Sequence, residues 1–312
     1  MEKRKIGSLE VSVVGLGCNN FGWRIDAPAT ARVVDAALDA GINFLDTADT
    51  YGAGQSEEFL GRALKGRWHR VVIATKFGNK MDEQRQGAKP DYVRRAVEDS
   101  LHRLGIDRID LCQLHRPDPN TPIGETLEAL DGLVKAGKVR EIGCSNFSAE
   151  QIREAGDAAP PGAARFVSLQ NEYSLMHRQA EKDALPECVR RGLAFLPYFP
   201  LANGLLTGKY RLGQALPAGS RGEDGWGPKV FTEENLAIAD RLREFAESRG
   251  RSLLELAFSW LASRPAVASV IAGAKSPEQA QANVRAAGWR LTEADLVEVD
   301  RILAPHAGKV LP

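Results

Sequence analysis

Ile42-Asn43-Phe44-Leu45-Asp46-Thr47-Ala48-Asp49-Thr50-Tyr51 starts as a short apolar run, ends in a carboxylate and delivers a phenol shortly afterwards. The pattern recurs downstream. Residues 71–75 are mostly apolar and lead to Lys76, and the largely apolar residues 109–114 lead to His115. Between these runs lie segments 55–64 and 90–104, whose apolar residues are spaced by three and four, as in a helix covering a core. If the runs are parallel strands of one closed sheet, their ends bring Asp46, Tyr51, Lys76 and His115 to one mouth.

The alternation extends over the whole chain. Apolar runs fall at 13–18, 42–45, 71–75, 109–114, 139–144, 166–169, 193–196 and 267–272. Helical spacing appears at 30–40, 55–64, 90–104, 123–136 and 178–191, with Gly41 and Gly137 where a left-handed helix cap calls for glycine. Near-continuous apolar strands joined by helices indicate a parallel sheet covered on its outer face. Eight such units favour an α/β chain folded as a (β/α)8 TIM barrel over an open doubly wound sheet. Residues 4–13 alternate polar and apolar around Gly7-Ser8, which predicts a β-hairpin acting as an N-terminal cap. Segments 233–248, 253–263 and 292–303 predict extra C-terminal helices on the exterior or base, and 201–228, rich in Gly, Pro and Arg, reads as a functional loop. With no interdomain linker, residues 1–312 are expected to form one barrel domain.

Composition narrows the function. The 312 residues are 43% hydrophobic and 26% charged, a balance able to bury a large core. Lys plus Arg equals Asp plus Glu at 41 each, leaving no basic field to attract nucleic acid or an anionic membrane. No apolar stretch approaches the ~20 residues needed to span a bilayer, and Met1-Glu2-Lys3-Arg4-Lys5 lacks a signal-peptide core, so the expected location is cytoplasmic. Cys18, Cys112, Cys144 and Cys188 show no C-x-x-C spacing and are read as buried reduced thiols. His69, His102, His177 and His306 match no zinc spacing, so no metal is expected. There is no coiled-coil seam, and the oligomeric state stays open.

Ligand sites of such barrels lie at the C-terminal strand ends. Taken singly, Asp46 with Lys76 reads as a structural ion pair, Tyr51 as a rim aromatic and His115 as a core histidine. Together they form a proton-transfer set. A tyrosine with a pKa near ~10 is a poor acid toward a carbonyl, but an adjacent ammonium stabilises its phenolate and lowers that pKa. A partly dry ammonium needs a carboxylate to keep its proton, and Asp46 supplies one. His115 can orient a carbonyl oxygen. Gly15-Leu16-Gly17-Cys18-Asn19-Asn20 lacks the third glycine and following helix of a Rossmann turn, which sets that cofactor fold aside.

These residues, with Gly15-Leu16-Gly17-Cys18, Thr47-Ala48-Asp49-Thr50-Tyr51-Gly52, Ile73-Ala74-Thr75-Lys76 and Asp110-Leu111-Cys112-Gln113-Leu114-His115, give a sequence that resembles the aldo-keto reductase family. The likeness continues through Gly143-Cys144-Ser145-Asn146-Phe147, Gln170-Asn171-Glu172-Tyr173, Tyr198-Phe199-Pro200-Leu201 and Gly204-Leu205-Leu206-Thr207-Gly208-Lys209. It implies a metal-free barrel in which NADPH passes hydride to an aldehyde or ketone, giving an alcohol. Tyr51 would be the general acid, Lys76 and Asp46 would tune it and His115 would position the substrate. By the same resemblance Ser145, Asn146 and Gln170 would hold the nicotinamide carboxamide and Tyr198 would stack on its ring. Pro200, Leu201, Gly204, Leu206 and Lys209 would border the pyrophosphate, with Gly22 and Trp23 also near the cofactor. Gly273, Lys275, Gln279 and Asn283 would hold the adenosine 2′-phosphate and adenine, with Arg221 a second cation there.

Ala282 stands where many members carry glutamate, Gln279 where some carry arginine, and Phe199 where serine is frequent. The first two leave use of NAD(H) beside NADP(H) open. Phe21, Trp23, Phe77, Trp226 and Phe231 are candidates for an aromatic substrate pocket, with Trp23, Phe77, Trp226 and His115 expected on the substrate. Aromatic or medium-length aliphatic aldehydes suit it, and sugars and steroids stay open. The alternative reading is a nucleotide-binding regulatory subunit resembling potassium-channel β-subunits, against which His115 speaks. A non-redox lyase or isomerase would leave the Tyr198 loop and the 273–283 segment without a purpose.

Overall fold

A computed structural model describes residues 1–217, 220 and 227–304. Strands β1 (Lys3–Ile6) and β2 (Leu9–Ser12) form the expected antiparallel hairpin, with Ile6 opposite Leu9. The next eight strands are β3 (Val14–Gly17), β4 (Phe44–Asp46), β5 (Val72–Phe77), β6 (Ile109–Leu114), β7 (Val139–Ser145), β8 (Phe166–Glu172), β9 (Ala194–Tyr198) and β10 (Val270–Gly273). They lie parallel in the order β10-β3-β4-β5-β6-β7-β8-β9, one for each apolar run. The seam between β9 and β10 is drawn together by the segment before β10, where Phe195 N–H donates to Ala266 O (2.7 Å) and Ala268 N–H to Phe195 O (3.0 Å). The sheet is therefore a nearly closed (β/α)8 barrel.

Helices α1 (Ala27–Asp39), α2 (Gln55–Ala63), α3 (Pro90–Leu104), α4 (Ile123–Lys135), α5 (Ala149–Ala158) and α6 (Ala184–Arg191) follow β3 to β8 in turn. Gly41 and Gly137 adopt the expected left-handed conformation just beyond α1 and α4. After β9 come α7 (Gly227–Val230), α8 (Glu233–Ser248) and α9 (Leu253–Ala262); α10 (Pro277–Ala286) and α11 (Glu293–Leu303) follow β10. Helix α10 packs against both α9 and α1 and so completes the outer ring, while α8 and α11 pack on each other outside it.

Three helices are additions to the sequence reading: α5, α10 and the four-residue α7, which starts at the end of the segment read as a loop. In α5 the buried residues are only Ala149, Ile152 and Ala155, too small an apolar stripe to stand out, and a Ser148–Gln151 capping box starts the helix. In α10, Ser276 caps the N-terminus and Ala280, Asn283 and Ala286 are buried, again a weak stripe. The helix read at 178–191 begins later, at the Asp183 cap, after a separate 3-10 turn at Gln179–Glu181.

The core has two parts. A large layer lies between strands and helices. A smaller cluster joins Ile6, Leu9 and Val11 of the hairpin to Phe44, Ala74, Leu111, Leu196 and Ile271 of the barrel. Arg4 fastens this cap, its guanidinium donating to Val267 O (2.5 Å) and Ala262 O (2.6 Å). One end of the barrel is thereby closed by apolar packing.

Candidate active site

Side chains alternate along a strand, so residues two apart share a face. On β4, β5, β6 and β9 the residues two beyond the apolar layer are Asp46, Lys76, Gln113 and Tyr198, and Ser145 and Gln170 close the ring on β7 and β8. Lys76 is 1% and Asp46 2% exposed. The Lys76 ammonium donates to Asp46 Oδ2 at 2.6 Å, to Thr47 O at 2.9 Å and to the Tyr51 hydroxyl at 3.4 Å. The other Asp46 oxygen accepts from the side-chain amides of Gln113 (3.1 Å) and Gln170 (3.0 Å). His115 stands edge-on to Tyr51, ring centroids 6.0 Å apart, and its buried Nδ1 has no hydrogen-bond partner.

Tyr51 is held by its loop. Gly52 and Ala53 both have positive φ, and a Cβ at Gly52 would stand 2.8 Å from Phe21 O, so only glycine fits there. Behind the loop, Ser56 Oγ donates to Cys18 O (2.9 Å) and lies 2.8 Å from Thr47 Oγ1. Glu57, fully buried, accepts from Thr75 Oγ1 (2.5 Å) and Arg103 Nε (2.7 Å). Tyr92 donates to the neighbouring buried Asp49 (3.4 Å), whose pKa is pushed up to about 7 by burial and by Glu57.

The electrostatics correct one expectation. Burial raises the Tyr51 pKa; the Lys76 ammonium pulls it down as anticipated but is outweighed, so the net shift is upward. Burial pulls Lys76 down, yet the Asp46 carboxylate and Tyr51 more than reverse this and the lysine stays charged. Burial, then Lys76 and Arg116, press His115 well below the usual histidine value, so it is neutral at pH 7.

The set opens on a cleft of about 530 Å³ that runs from Tyr51 and His115 to α10. Of the residues anticipated from the sequence, its wall includes Asp46, Tyr51, His115, Ser145, Asn146, Gln170, Tyr198, Pro200, Leu201, Gly204, Lys209, Gly273, Lys275, Gln279 and Asn283. Lys76 lies just beneath. The polar side chains near its centre are interlinked: Tyr198 OH donates to Asn146 Oδ1 (2.8 Å), Asn146 Nδ2 to His115 O (2.9 Å) and Ser145 Oγ to Gln170 O (2.7 Å). Gln279 Oε1 accepts from the Lys275 N–H at 2.8 Å, shaping the turn into α10. Lysines at one end and amides and hydroxyls at the other suit a phosphorylated, amide-bearing ligand.

Several anticipated residues stand elsewhere. Phe77 is buried in the layer between strands and helices, because Lys76 faces the barrel interior and its neighbour must face out. Phe21 is likewise buried core. Trp23 is 66% exposed with the Arg24 guanidinium over its ring, and neither it nor Gly22 lines the cleft. Leu206 is buried, its N–H spent on Leu201 O (3.1 Å). Phe231 packs on Tyr210. Arg221 and Trp226 lie outside the described residues.

Among the wall and support residues that escaped the sequence reading, two bear on the chemistry. Gln113 carries one of the donors on Asp46, and its signal was an amide inside an otherwise apolar strand. Arg116, next to His115, lines the cleft. Also telling are, among the described residues, five non-glycine residues with positive φ, namely Ala53, Asn146, Phe199, Ala202 and Asn203, all in loops beyond strand C-terminal ends.

Comparison with known proteins agrees with this fold. The model of the Aldo/keto reductase family matches residues 13–304. The chain is 36% identical over 305 residues to the aldo-keto reductase YhdN of Bacillus subtilis (strain 168), spanning 95% of this chain and 91% of that protein. It is 34% identical over 299 residues to a probable voltage-gated potassium channel subunit beta of Oryza sativa subsp. japonica, spanning 92% and 91%. Among solved structures, a glycerol dehydrogenase from Gluconobacter oxydans superposes with a TM-score of 0.86 at 35% identity, covering 99% of this chain and 97% of that one.

Proposed function

Because this chain belongs to the aldo/keto reductase family, we propose that it is an NADP(H)-dependent oxidoreductase that reduces aldehydes or ketones to alcohols, with Tyr51 as the general acid. The family is one of nicotinamide-linked oxidoreductases. The observation that carries the finer reading is the chain Asp46–Lys76–Tyr51, with contacts of 2.6 and 3.4 Å, ending at the cleft beside a neutral His115.

NADPH, when bound, supplies the hydride. The protein's own part is proton transfer and positioning. With its pKa raised, Tyr51 is fully protonated at neutral pH and ready to donate to an oxygen that gains charge. As its proton leaves, the Lys76 ammonium stabilises the phenolate, and Asp46 keeps that ammonium charged inside a dry wall. His115 carries no charge to compete with the tyrosine and can hydrogen-bond the carbonyl oxygen through its ring edge. Run backwards, the Tyr51 phenolate takes the alcohol proton.

For the cofactor, Ser145 and Asn146 beside Tyr198 suit the nicotinamide end, and Lys209 and Lys275 suit phosphates. Gln170 is committed to Asp46, so on this reading it supports the acid group as much as the carboxamide. Two lysines favour NADP(H), with NAD(H) use open. Among the described residues no helix is long and apolar enough to cross a membrane, and the four cysteines are buried and unpaired. As part of the same proposal the enzyme acts on small molecules in the cytoplasm as one barrel domain.

The test is NADPH oxidation, with NADH in parallel, using 4-nitrobenzaldehyde and comparing wild type with Tyr51→Phe. Turnover that disappears in the variant while NADPH still binds is expected. Tight binding without turnover on a wider carbonyl panel would move the reading to a regulatory subunit like the rice relative, and absence of binding would reject both.

A further inference from the structure

Four charged side chains line the cleft among the described residues: Asp46, Arg116, Lys209 and Lys275. Asp46 is already satisfied by Lys76 and two amides. Lys209 follows the loop after β9 and Lys275 precedes α10, at the end suited to cofactor phosphates. Arg116 is the cation left over. It follows His115 directly on the chain, and its charge is felt by both His115 and Tyr198, so it acts across the reacting end of the cleft.

No hydrogen bond or ion pair engages the Arg116 guanidinium among the described residues. It is exposed, while the backbone that carries it is fixed. His115 N–H donates to Phe77 O (2.8 Å), and Asp118, just beyond, accepts from Ala88 N (2.8 Å), Asn120 N (2.9 Å) and Thr121 Oγ1 (2.8 Å). A guanidinium on a rigid support offers a planar fork that matches a carboxylate with two parallel hydrogen bonds. Nothing in the neutral carbonyl chemistry of Tyr51 and His115 calls for a cation there.

We propose that Arg116 makes this cleft selective for carbonyl substrates that also carry a carboxylate, held by the guanidinium while the carbonyl lies against Tyr51 and His115. This deepens the reductase reading and rests on it. The reaction is unchanged: hydride to carbon, proton from Tyr51 to oxygen, and the carboxylate as a spectator that anchors.

The experiment compares kcat/KM for 4-carboxybenzaldehyde and for its neutral methyl ester, methyl 4-formylbenzoate, with the 3-substituted pair alongside to vary the reach. Wild type, Arg116→Gln and Arg116→Lys are assayed with NADPH. The expected result is a preference of tenfold or more for the carboxylate in at least one pair, carried mainly by KM. The preference falls to about one in Arg116→Gln and is partly kept in Arg116→Lys. A ratio near one in the wild type, or a ratio unchanged in Arg116→Gln, overturns the assignment even if both esters are reduced well. Failure of the wild type to reduce any of the four compounds while NADPH binds would instead count against the reductase reading, and the inference would fall with it.

Discussion

At the hairpin end of the barrel, Phe44, Ala74, Leu111 and Leu196 meet Ile6, Leu9 and Val11 in a sealed apolar plug. One pleat further along the same four strands stand Asp46, Lys76, Gln113 and Tyr198, facing the cleft or just beneath it. The first layer needs no partners, since apolar groups gain by contact alone. The second has to satisfy every polar group in a dry wall, and it does so incompletely. His115 Nδ1 is left without a partner, and among the described residues the left-handed non-glycine ones all gather in the loops at this end. Stability and chemistry are thus separated by two residues along a strand, and the open end carries what the closed end is spared.

That separation can be broken by mutation. The largest effect is expected from Tyr51→Phe, which removes one hydroxyl at the open end: kcat should fall by roughly 10²–10⁴ while the thermal midpoint barely moves, as steady-state kinetics and calorimetry would read. A matching loss of stability would show that the open end also holds the fold. Phe44→Ala should do the reverse, costing about 3–5 kcal/mol in denaturant unfolding while the folded fraction keeps most of its turnover at low temperature.

Gln113→Leu sharpens the comparison, because it exchanges a donor on Asp46 for an apolar residue like those one layer below. Loss of a hydrogen bond to a charged group should cost ~1.5–3 kcal/mol and lower kcat severalfold. Unaltered kinetics would mean that Gln170 and Lys76 suffice to orient the carboxylate. The smallest effect concerns pH. The His115 pKa in the folded protein lies below the ordinary ~6.5, so the unfolded chain takes up that proton first. The stability from keeping the ring neutral is full above the unfolded pKa and is lost as pH falls from there toward the folded value. Between pH ~7.5 and ~5.5 the wild type should lose about 1 kcal/mol more than His115→Gln in urea unfolding, and equal losses would exclude a buried neutral histidine as the cause.

Local signals were enough for the strands and for most of the helices. Parallel strands covered on both faces read as continuous apolar runs, and Gly41, Gly137 and the caps mark where helices stop. Helices α5 and α10 were missed because alanines supply much of their buried faces. For Phe77 the two-residue period is decisive: with Lys76 facing inward, its neighbour turns out into the layer under the helices. For Tyr51 the sign of the Lys76 effect was readable but its size against burial was not, since burial is a property of the assembled wall.

By itself the sequence determined which side chain stands at which step of which strand, because period, run length and turn chemistry are local. It therefore specified the eight strands and put Asp46, Tyr51, Lys76 and His115 at or just beyond strand ends. Closure of the barrel decided the rest. Only when the sheet curls round and strands that do not pair face one another across the barrel do Gln113 and Gln170 converge on one oxygen of Asp46, and does Arg116 come to share a cleft with Lys209 and Lys275. Such convergences are set by distances across the barrel, which no local spacing encodes.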